Sequence, residues 1–218
     1  ESVLLFPSGF QANIAAVCAL ANRHTIVLAD RLIHYSLLLG VKASGAKLKR
    51  FAHNDLNDLE RNLKLSRRKS PQQAPLVLTE SLFSMEGTSP PIKEISILCD
   101  RFEAKLLVDE AHALGTMGIE GRGLCHGLST PATMVSGTFG KAFGSGGAFL
   151  ATNKKIAEHL IQTSGAFRYT TALAPPLAAA ALAALKLIRE NPHWGKRLCE
   201  QGGEWRSRLE ENGWERPP

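Results

Sequence analysis

The sequence predicts an α/β fold of three layers, α/β/α, in which helices cover both faces of a mostly parallel sheet. Short apolar runs alternate along the chain with longer segments whose apolar residues recur at a helical period. The apolar residues of the short runs are consecutive instead of alternating with polar ones, which is typical of strands buried on both faces of a parallel sheet. Together these observations favour one large α/β domain.

The predicted elements follow one another in a regular order. Strands are predicted at residues 25–29, 76–79, 105–109, 133–136 and 147–152. Helices are predicted at residues 11–23, 55–66, 91–104, 154–163 and 175–190. An Ala-rich composition supports the first and the last of these helices. In the second helix Leu56, Leu59 and Leu63 form one apolar stripe, and the third begins at Pro91, a position that tolerates proline.

The 218-residue chain is expected to contain a large domain over residues 1–190 and the start of a smaller one over residues 191–218. Residues 194–218 are polar and predict a helix too short to bury a core of its own. We therefore expect the chain to be part of a longer protein. No apolar run reaches the roughly eighteen residues that a membrane span needs, and the first residues lack the basic segment of a signal peptide. A cytoplasmic protein with no membrane partner is expected.

Charge and cysteine content exclude further classes of function. The formal net charge is +6, and the basic residues concentrate at residues 47–50 and 61–69. They predict solvated helix faces, or else a surface that attracts an anionic substrate such as an acyl-coenzyme A. No nucleic-acid-binding motif accompanies them, so a nucleic-acid partner is not expected. The cysteines form no paired motif, and we expect no metal site and buried, reduced thiols at Cys18 and Cys99.

Polar side chains follow three of the predicted strands, at the point where each strand ends. They are Glu80 and Ser84 after one strand, Asp109 and His112 after the next, and Thr138 and Lys141 after a third. In open α/β sheets, ligands bind outside the carboxyl ends of the strands. We therefore expect these side chains to meet in one site.

Lys141 lies in a glycine-rich segment, residues 136–147. The segment is not a Walker A loop, because Val135 stands where the first glycine belongs and Ala142 stands where Ser or Thr should follow the lysine. It is not a GxGxxG motif either, since Phe149 replaces the last glycine. A partly desolvated lysine can form a Schiff base with an aldehyde, and neighbouring glycines let the backbone approach a cofactor. An ordinary loop lysine is the alternative that this segment alone leaves open.

Asp109 ends an apolar strand, where a carboxylate is costly unless it meets a cation. A protonated pyridine nitrogen is such a cation, and keeping it protonated makes the ring an electron sink. A helix cap or a salt bridge to a lysine would also explain Asp109. His112 is able to donate to a phenolate oxygen of the same ring, although an isolated histidine is more often structural. The hydroxyl of Thr138 is able to donate to a phosphate.

Two segments carry a resemblance to a known family. Residues 108–115 (VDEAHALG) and 138–144 (TFGKAFG) resemble the fold-type I, aspartate-aminotransferase-like enzymes that use pyridoxal 5'-phosphate (PLP), and more narrowly the α-oxoamine synthases. The resemblance extends from Phe6 to about Pro176. It implies the large domain of a PLP-dependent acyltransferase that condenses an amino acid with an acyl-coenzyme A and releases carbon dioxide. Chains of this family are longer at both ends, so an N-terminal segment and most of the small domain, with its carboxylate-binding arginine, are expected outside this sequence.

The resemblance implies which residues bind the cofactor phosphate. Gly9 and Phe10 would bind it through backbone amides at the start of a helix, an arrangement that suits an anion. Thr138 would be a further phosphate ligand. Thr170 and Thr171 resemble a segment that reaches the phosphate of a neighbouring subunit, which would make the active unit a homodimer.

The resemblance also implies which residues bind the cofactor ring and act in catalysis. Lys141 would form the Schiff base, and His34 would stack on the pyridine ring. Asp109 would bind the ring nitrogen, and His112 would bind the phenolate oxygen. Two further residues, implied only to line the pocket, are Glu80 and Ser84.

Within the family, residues 30–34 (DRLIH), 51–55 (FAHND) and 80–87 (ESLFSMEG) are most similar to members that act in biotin synthesis. Those members condense L-alanine with pimeloyl-coenzyme A or a pimeloyl carrier protein. A sibling synthase that uses glycine is the alternative, although such siblings tend to carry Asn where Ile33 stands. Tyr35 departs from the family, in which a small residue commonly follows the stacking histidine, and it leaves the fine shape of the pocket open.

Two alternatives lie outside the synthases. An aminotransferase-like domain can bind PLP as the ligand sensor of a DNA-binding regulator, and a sequence that precedes Glu1 would then hold the DNA-binding part. A non-catalytic partner subunit is the other alternative. It is disfavoured because both Lys141 and Asp109 are present.

Overall fold

The computed structural model describes residues 1–215 of the chain. The strands are β1 (Ser2–Phe6), β2 (Ile26–Asp30), β3 (Lys47–Phe51), β4 (Leu76–Glu80), β5 (Lys105–Asp109), β6 (Met134–Thr138) and β7 (Ala148–Thr152). The helices are α1 (Gly9–Leu20), α2 (Tyr35–Ser44), α3 (Leu56–Lys69), α4 (Ile92–Arg101), α5 (Lys154–Thr163), α6 (Gly165–Arg168), α7 (Pro175–Glu190) and α8 (Trp194–Glu211).

The strands form one seven-stranded sheet in the order β1-β7-β6-β5-β4-β2-β3. The strands from β6 to β3 in this order pair in parallel, whereas β7 pairs antiparallel with both of its neighbours, β6 and β1. Helices α1, α2 and α5 pack on one face, and α3 and α4 pack on the other. The predicted three-layer α/β/α fold with a mostly parallel sheet is therefore confirmed.

Two apolar cores lie on the two faces of the sheet. One core packs α1, α2 and α5 against the face that contains Leu78, Leu107 and Met134. The other packs α3 and α4 against the face that contains Val77 and Val108. The central strands are buried on both faces, which explains why their apolar residues are consecutive instead of alternating with polar ones.

The structure also contains elements that periodicity does not predict, namely β1, α2, β3 and α6. The prediction of a helix face at residues 47–50 is wrong, because these residues form the edge strand β3. Charged side chains suit a sheet edge, since they disfavour pairing with another chain.

Helix α2 lies very close to α1, and a Cβ atom at Gly40 would lie 2.8 Å from Cβ of Val17. Cys18 is exposed, contrary to the prediction, with its Sγ atom 3.8 Å from the carbonyl oxygen of Gly40, whereas Cys99 is buried as predicted.

Helix α7 has the predicted bounds, and α8 accounts for most of the helix predicted at residues 194–218. Residues 216–218 lie outside the described residues, and the domain boundary at residue 191 stays a prediction. Among residues 1–215, no helix is long and apolar enough to cross a membrane. Within the same range, His, Cys, Asp and Glu side chains form no group of three or more that could hold a metal ion.

Candidate active site

A cavity of about 190 Å³ opens where β4, β5 and β6 end. Most of the predicted cofactor residues line it: Gly9, Phe10, His34, Glu80, Asp109, His112, Thr138 and Lys141. The other lining residues are Asn13, Ala111, Ser136 and Gly137. The fold therefore brings together side chains that lie far apart in the sequence, at the sheet edge where ligands of α/β proteins bind.

Three neighbouring strands form the floor of this cavity with a row of polar residues. Glu80 of β4 is the register partner of Asp109 of β5, which is in turn the partner of Ser136 of β6. Each lies two residues after an apolar core residue of its own strand, so all three side chains point to the face that α1 covers. All three are buried, with exposed fractions of 4%, 6% and 2%.

Lys141 lies in the tight turn that follows β6, where its Nζ atom contacts Nε2 of His112. Burial lowers the pKa of Lys141 below its usual range, while the carboxylates of Asp109 and Glu80 act in the opposite direction. Burial also lowers the pKa of His112, and the charge of Lys141 adds to this effect. The lysine amine is thereby closer to the neutral form that nucleophilic and base chemistry require.

Both carboxylate oxygens of Asp109 accept hydrogen bonds. Oδ1 accepts from the backbone N–H of Ala111 at 2.9 Å, and Oδ2 accepts from Nδ2 of Asn13 at 2.7 Å. The first contact spans two residues and closes a turn after β5; among the described residues no helix begins at Asp109, so it is not the helix cap that the sequence left open. No salt bridge of the described residues involves Asp109. The carboxylate is therefore held by two neutral donors, and its charge is available to a cation in the cavity.

The first turn of α1 borders the cavity. Ser8 is the N-cap, and its Oγ accepts a hydrogen bond from the N–H of Gln11 at 3.3 Å. Gly9 and Phe10 are the first two residues of the helix, so their N–H groups precede its first internal hydrogen bond and suit an anion. The hydroxyl of Thr138 donates to the carbonyl of Gly147 at 3.0 Å, so its predicted bond to a phosphate requires that this contact be exchanged.

His34 is the N-cap residue of α2 and stands at the mouth of the cavity. Its backbone N–H donates to Oε1 of Glu80 at 2.6 Å. Glu80 thus ties the loop that carries the histidine to the end of β4. Burial, together with the neighbouring carboxylate of Asp109, raises the pKa of Glu80 from its usual 4.5 to about 8.

The raised pKa of Glu80 predicts a pH-dependent stability. The folded protein bears no ionisation penalty below about pH 4.5, and the penalty grows as the pH rises towards 8. Glu80→Gln cannot ionise and keeps an acceptor for His34. The free energy of unfolding of this variant should exceed that of the parent by a larger margin at pH 9 than at pH 5. We expect the margin to grow by at least about 1 kcal/mol between these two pH values.

Urea unfolding of the cofactor-free protein at the two pH values measures this gain. Glu204→Gln, at an exposed position of α8, is the matched control and is expected to show no such difference. An advantage of Glu80→Gln that is the same at both pH values would contradict the predicted ionisation of Glu80.

Three predicted residues lie away from the cavity lining. Ser84 is exposed in the turn after β4. Thr170 and Thr171 lie between α6 and α7, the first half-buried and the second exposed. The resemblance assigns these two threonines to the site of a neighbouring subunit, and the roles of all three residues stay predictions.

Two polar residues of the lining, Asn13 and Ser136, are not among the site residues predicted from the sequence. Asn13 belongs to the segment SGFQAN, but spacing alone does not tell which face of α1 meets Asp109. Ser136 belongs to a strand that was predicted as an apolar run. Register with Asp109 is the signal that identifies it, and only a sheet topology supplies that register.

The arrangement fits PLP by the chemistry of its donors. A lysine amine of lowered pKa suits the aldehyde, a buried carboxylate suits a pyridinium nitrogen, and a helix N-terminus suits a phosphate. A parallel sheet that carries these groups to one edge defines the large domain of a PLP-dependent transferase with the aspartate-aminotransferase-like fold. In agreement with this assignment, a family model for aminotransferase class I and II matches residues 1–217 of the chain. The chain belongs to this family, and its relatives place it among the α-oxoamine synthases, which confirms the predicted family and its cofactor, PLP.

The sequences and structures of individual relatives support this family assignment. The chain is 41% identical over 202 residues to 8-amino-7-oxononanoate synthase of Photobacterium profundum, a match that covers 93% of this chain and 52% of the relative. Among solved structures, 8-amino-7-oxononanoate synthase of Francisella tularensis is 31% identical with a TM-score of 0.83, over 99% of this chain and 62% of that one. Serine palmitoyltransferase of S. paucimobilis, solved with a PLP–myriocin adduct, is 28% identical with a TM-score of 0.91, over 99% and 55%. The chain spans about half the length of the curated relatives it matches.

Proposed function

We propose that the intact protein is a synthase that condenses L-alanine with a pimeloyl thioester, of coenzyme A or a carrier protein, to give 8-amino-7-oxononanoate for biotin synthesis. The observation that carries this proposal is the shared cavity of Lys141 and Asp109, which stands beside His34 and the N-terminus of α1. The identity to curated 8-amino-7-oxononanoate synthases supports the choice of substrates. In the reaction, a bond forms between the alanine Cα and the thioester carbonyl carbon, the thiol leaves, and the alanine carboxylate leaves as carbon dioxide.

The residues of the cavity would divide the work as follows. When bound, PLP supplies an electron sink for the electrons released at the substrate Cα. The amine of Lys141 would hold the cofactor aldehyde and, once the substrate amine has displaced it, would take the Cα proton, for which its lowered pKa is suited. The carboxylate of Asp109 holds a proton on the ring nitrogen. His34 stacks on the ring and fixes its plane, so that the bond to be broken is correctly oriented.

Further parts of the proposal concern binding. Gly9, Phe10 and Thr138 would bind the phosphate, and His112 would donate to the phenolate oxygen. Thr170 and Thr171 would serve the site of a second subunit in a homodimer. They lie outside this chain's own cavity, as such a role requires. We also propose that the protein acts in the cytoplasm.

An assay of the intact protein with a panel of substrates tests this function. Thiol release is measured with alanine, glycine and serine, each combined with pimeloyl, acetyl and palmitoyl thioesters. Because amino acids that differ by one methyl group are commonly discriminated by about 10- to 200-fold, we expect alanine with the pimeloyl thioester to show a kcat/KM at least about tenfold above the glycine reactions. Strict use of glycine would support the sibling synthase instead, and strict use of serine would also contradict the proposal.

A further inference from the structure

A continuous line of hydrogen bonds runs beneath the cavity from Asp109 to His34. Asn13, only 3% exposed, donates from Nδ2 to Oδ2 of Asp109 at 2.7 Å and to Oγ of Ser36 at 2.9 Å. Ser36 Oγ lies 2.6 Å from Nδ1 of His34. The residue proposed to bind the ring nitrogen and the residue proposed to stack on the ring are therefore joined through the side chains of α1 and α2.

The chemistry of the donors fixes the direction of these bonds. An ionised carboxylate only accepts, so the amide group of Asn13 must turn its NH₂ towards Asp109. That NH₂ also donates to Ser36 Oγ, which leaves the hydroxyl hydrogen of Ser36 for His34. The backbone N–H of Ser36 points to the same Nδ1 atom at 3.3 Å. With both donors at Nδ1, these contacts fit the tautomer of His34 that carries its proton on Nε2.

The position of Asn13 suits its contact with Asp109 better than it suits the stability of the fold. Its Oδ1 atom is buried and has no hydrogen-bond partner among the residues that the structure describes. A buried acceptor without a partner destabilises a fold, and an apolar residue of similar size would avoid that cost. The small buried residues Ala12 and Ala16 let α1 lie close to the sheet, which brings the amide within reach of Asp109.

We propose that Asn13 is a positioning residue of this active site, which aims the Asp109 carboxylate at the ring nitrogen and, through Ser36, sets the tautomer and orientation of His34. The inference rests on the proposed PLP chemistry. Asn13 acts through its neighbours, because its two donor contacts are both to protein groups. Its loss should therefore weaken cofactor binding and alter the bound cofactor's spectrum more than it changes the stability of the fold.

Asn13→Leu in the intact protein tests this inference, because leucine keeps the branched shape and removes both donors. Asn62→Leu is the matched control: Asn62 is also 3% exposed and donates to an aspartate, Asp58, at 3.0 Å, but it lies on α3 away from the cavity. Apparent dissociation constants for PLP come from absorbance titrations, and thermal midpoints are measured without cofactor. A hydrogen bond to a charged group predicts a loss of PLP affinity of about 10- to 100-fold for Asn13→Leu, with a shifted absorbance band, and no change in affinity for Asn62→Leu.

Asn13→Leu that binds PLP within about twofold of the parent, with an unchanged spectrum, would overturn the inference. If Asn13→Leu does not fold, the affinity of the Ser36→Ala variant for PLP tests the inference instead. A loss of about two- to tenfold in affinity would support the line of bonds, and an unchanged affinity would overturn it. The parent protein separates this question from the proposed function: if the parent forms no adduct with PLP, the function fails, whereas a normal parent with normal variants contradicts only the role of Asn13.

Discussion

Lys141→Ala is expected to reduce product formation by the intact protein by at least about 10³-fold. The variant lacks the amine that is proposed to hold the cofactor and to take the Cα proton. The surrounding groups stay in place, because the backbone of the turn is fixed by bonds such as Gly144 N–H to the carbonyl of residue 141, 2.9 Å. Initial rates of thiol release with alanine and the pimeloyl thioester measure the effect.

Two further variants separate the chemistry of Lys141 from its charge. Lys141→Arg keeps the positive charge but has no amine that can hold an aldehyde, and it is expected to be as inactive as the alanine variant. Lys155→Ala, at an exposed position of α5, is the control and should keep the parental rate. A rate for Lys141→Arg within tenfold of the parent would mean that the residue acts only through its charge.

Asp109→Asn is expected to lower product formation by at least about 10²-fold. The amide has nearly the same shape but no charge, so it cannot keep a ring nitrogen protonated. It also meets two donors, the N–H of Ala111 and the NH₂ of Asn13, where only one of its two terminal atoms can accept. One donor is therefore left facing another, and the position of the side chain is disturbed as well.

The control for this substitution is Asp100→Asn, at an exposed position of α4, which should keep the parental rate. The readout is again the initial rate, measured with saturating PLP so that weaker cofactor binding does not account for the loss. Parental activity of Asp109→Asn under these conditions would remove the carboxylate from the proposed chemistry.

The fold could be predicted wherever burial imposes a pattern. β4 and β5 are covered on both faces, so each has three consecutive apolar residues (LVL and LLV), and the predicted residues match the observed strands closely. β3 lies at the sheet edge, where no second core demands apolar residues, and its charged sequence KLKRF resembles a solvated surface. Helix α2 packs through Gly40 against Val17, a contact that depends on another helix and leaves no period in its own sequence.

The residues of the candidate site could likewise be predicted from the sequence only in part. Asp109 and Lys141 could be nominated from the sequence because strand ends and glycine-rich turns mark such residues locally. Asn13 could not, since its importance arises from the packing of α1 over the end of β5. The coupling of Glu80 to Asp109 likewise depends on the register of two strands that are separated by α4. Contacts of this kind become visible only when the topology is known.

The central claim is that Lys141 and Asp109 hold opposite sides of one PLP ring. The most direct measurement is borohydride reduction of the intact protein with bound PLP, followed by proteolysis and mass spectrometry of the modified peptide. The account predicts a single phosphopyridoxyl group on Lys141, and its disappearance in the Lys141→Ala variant. Modification of a different lysine, or no stable modification of the parent protein, would contradict the account.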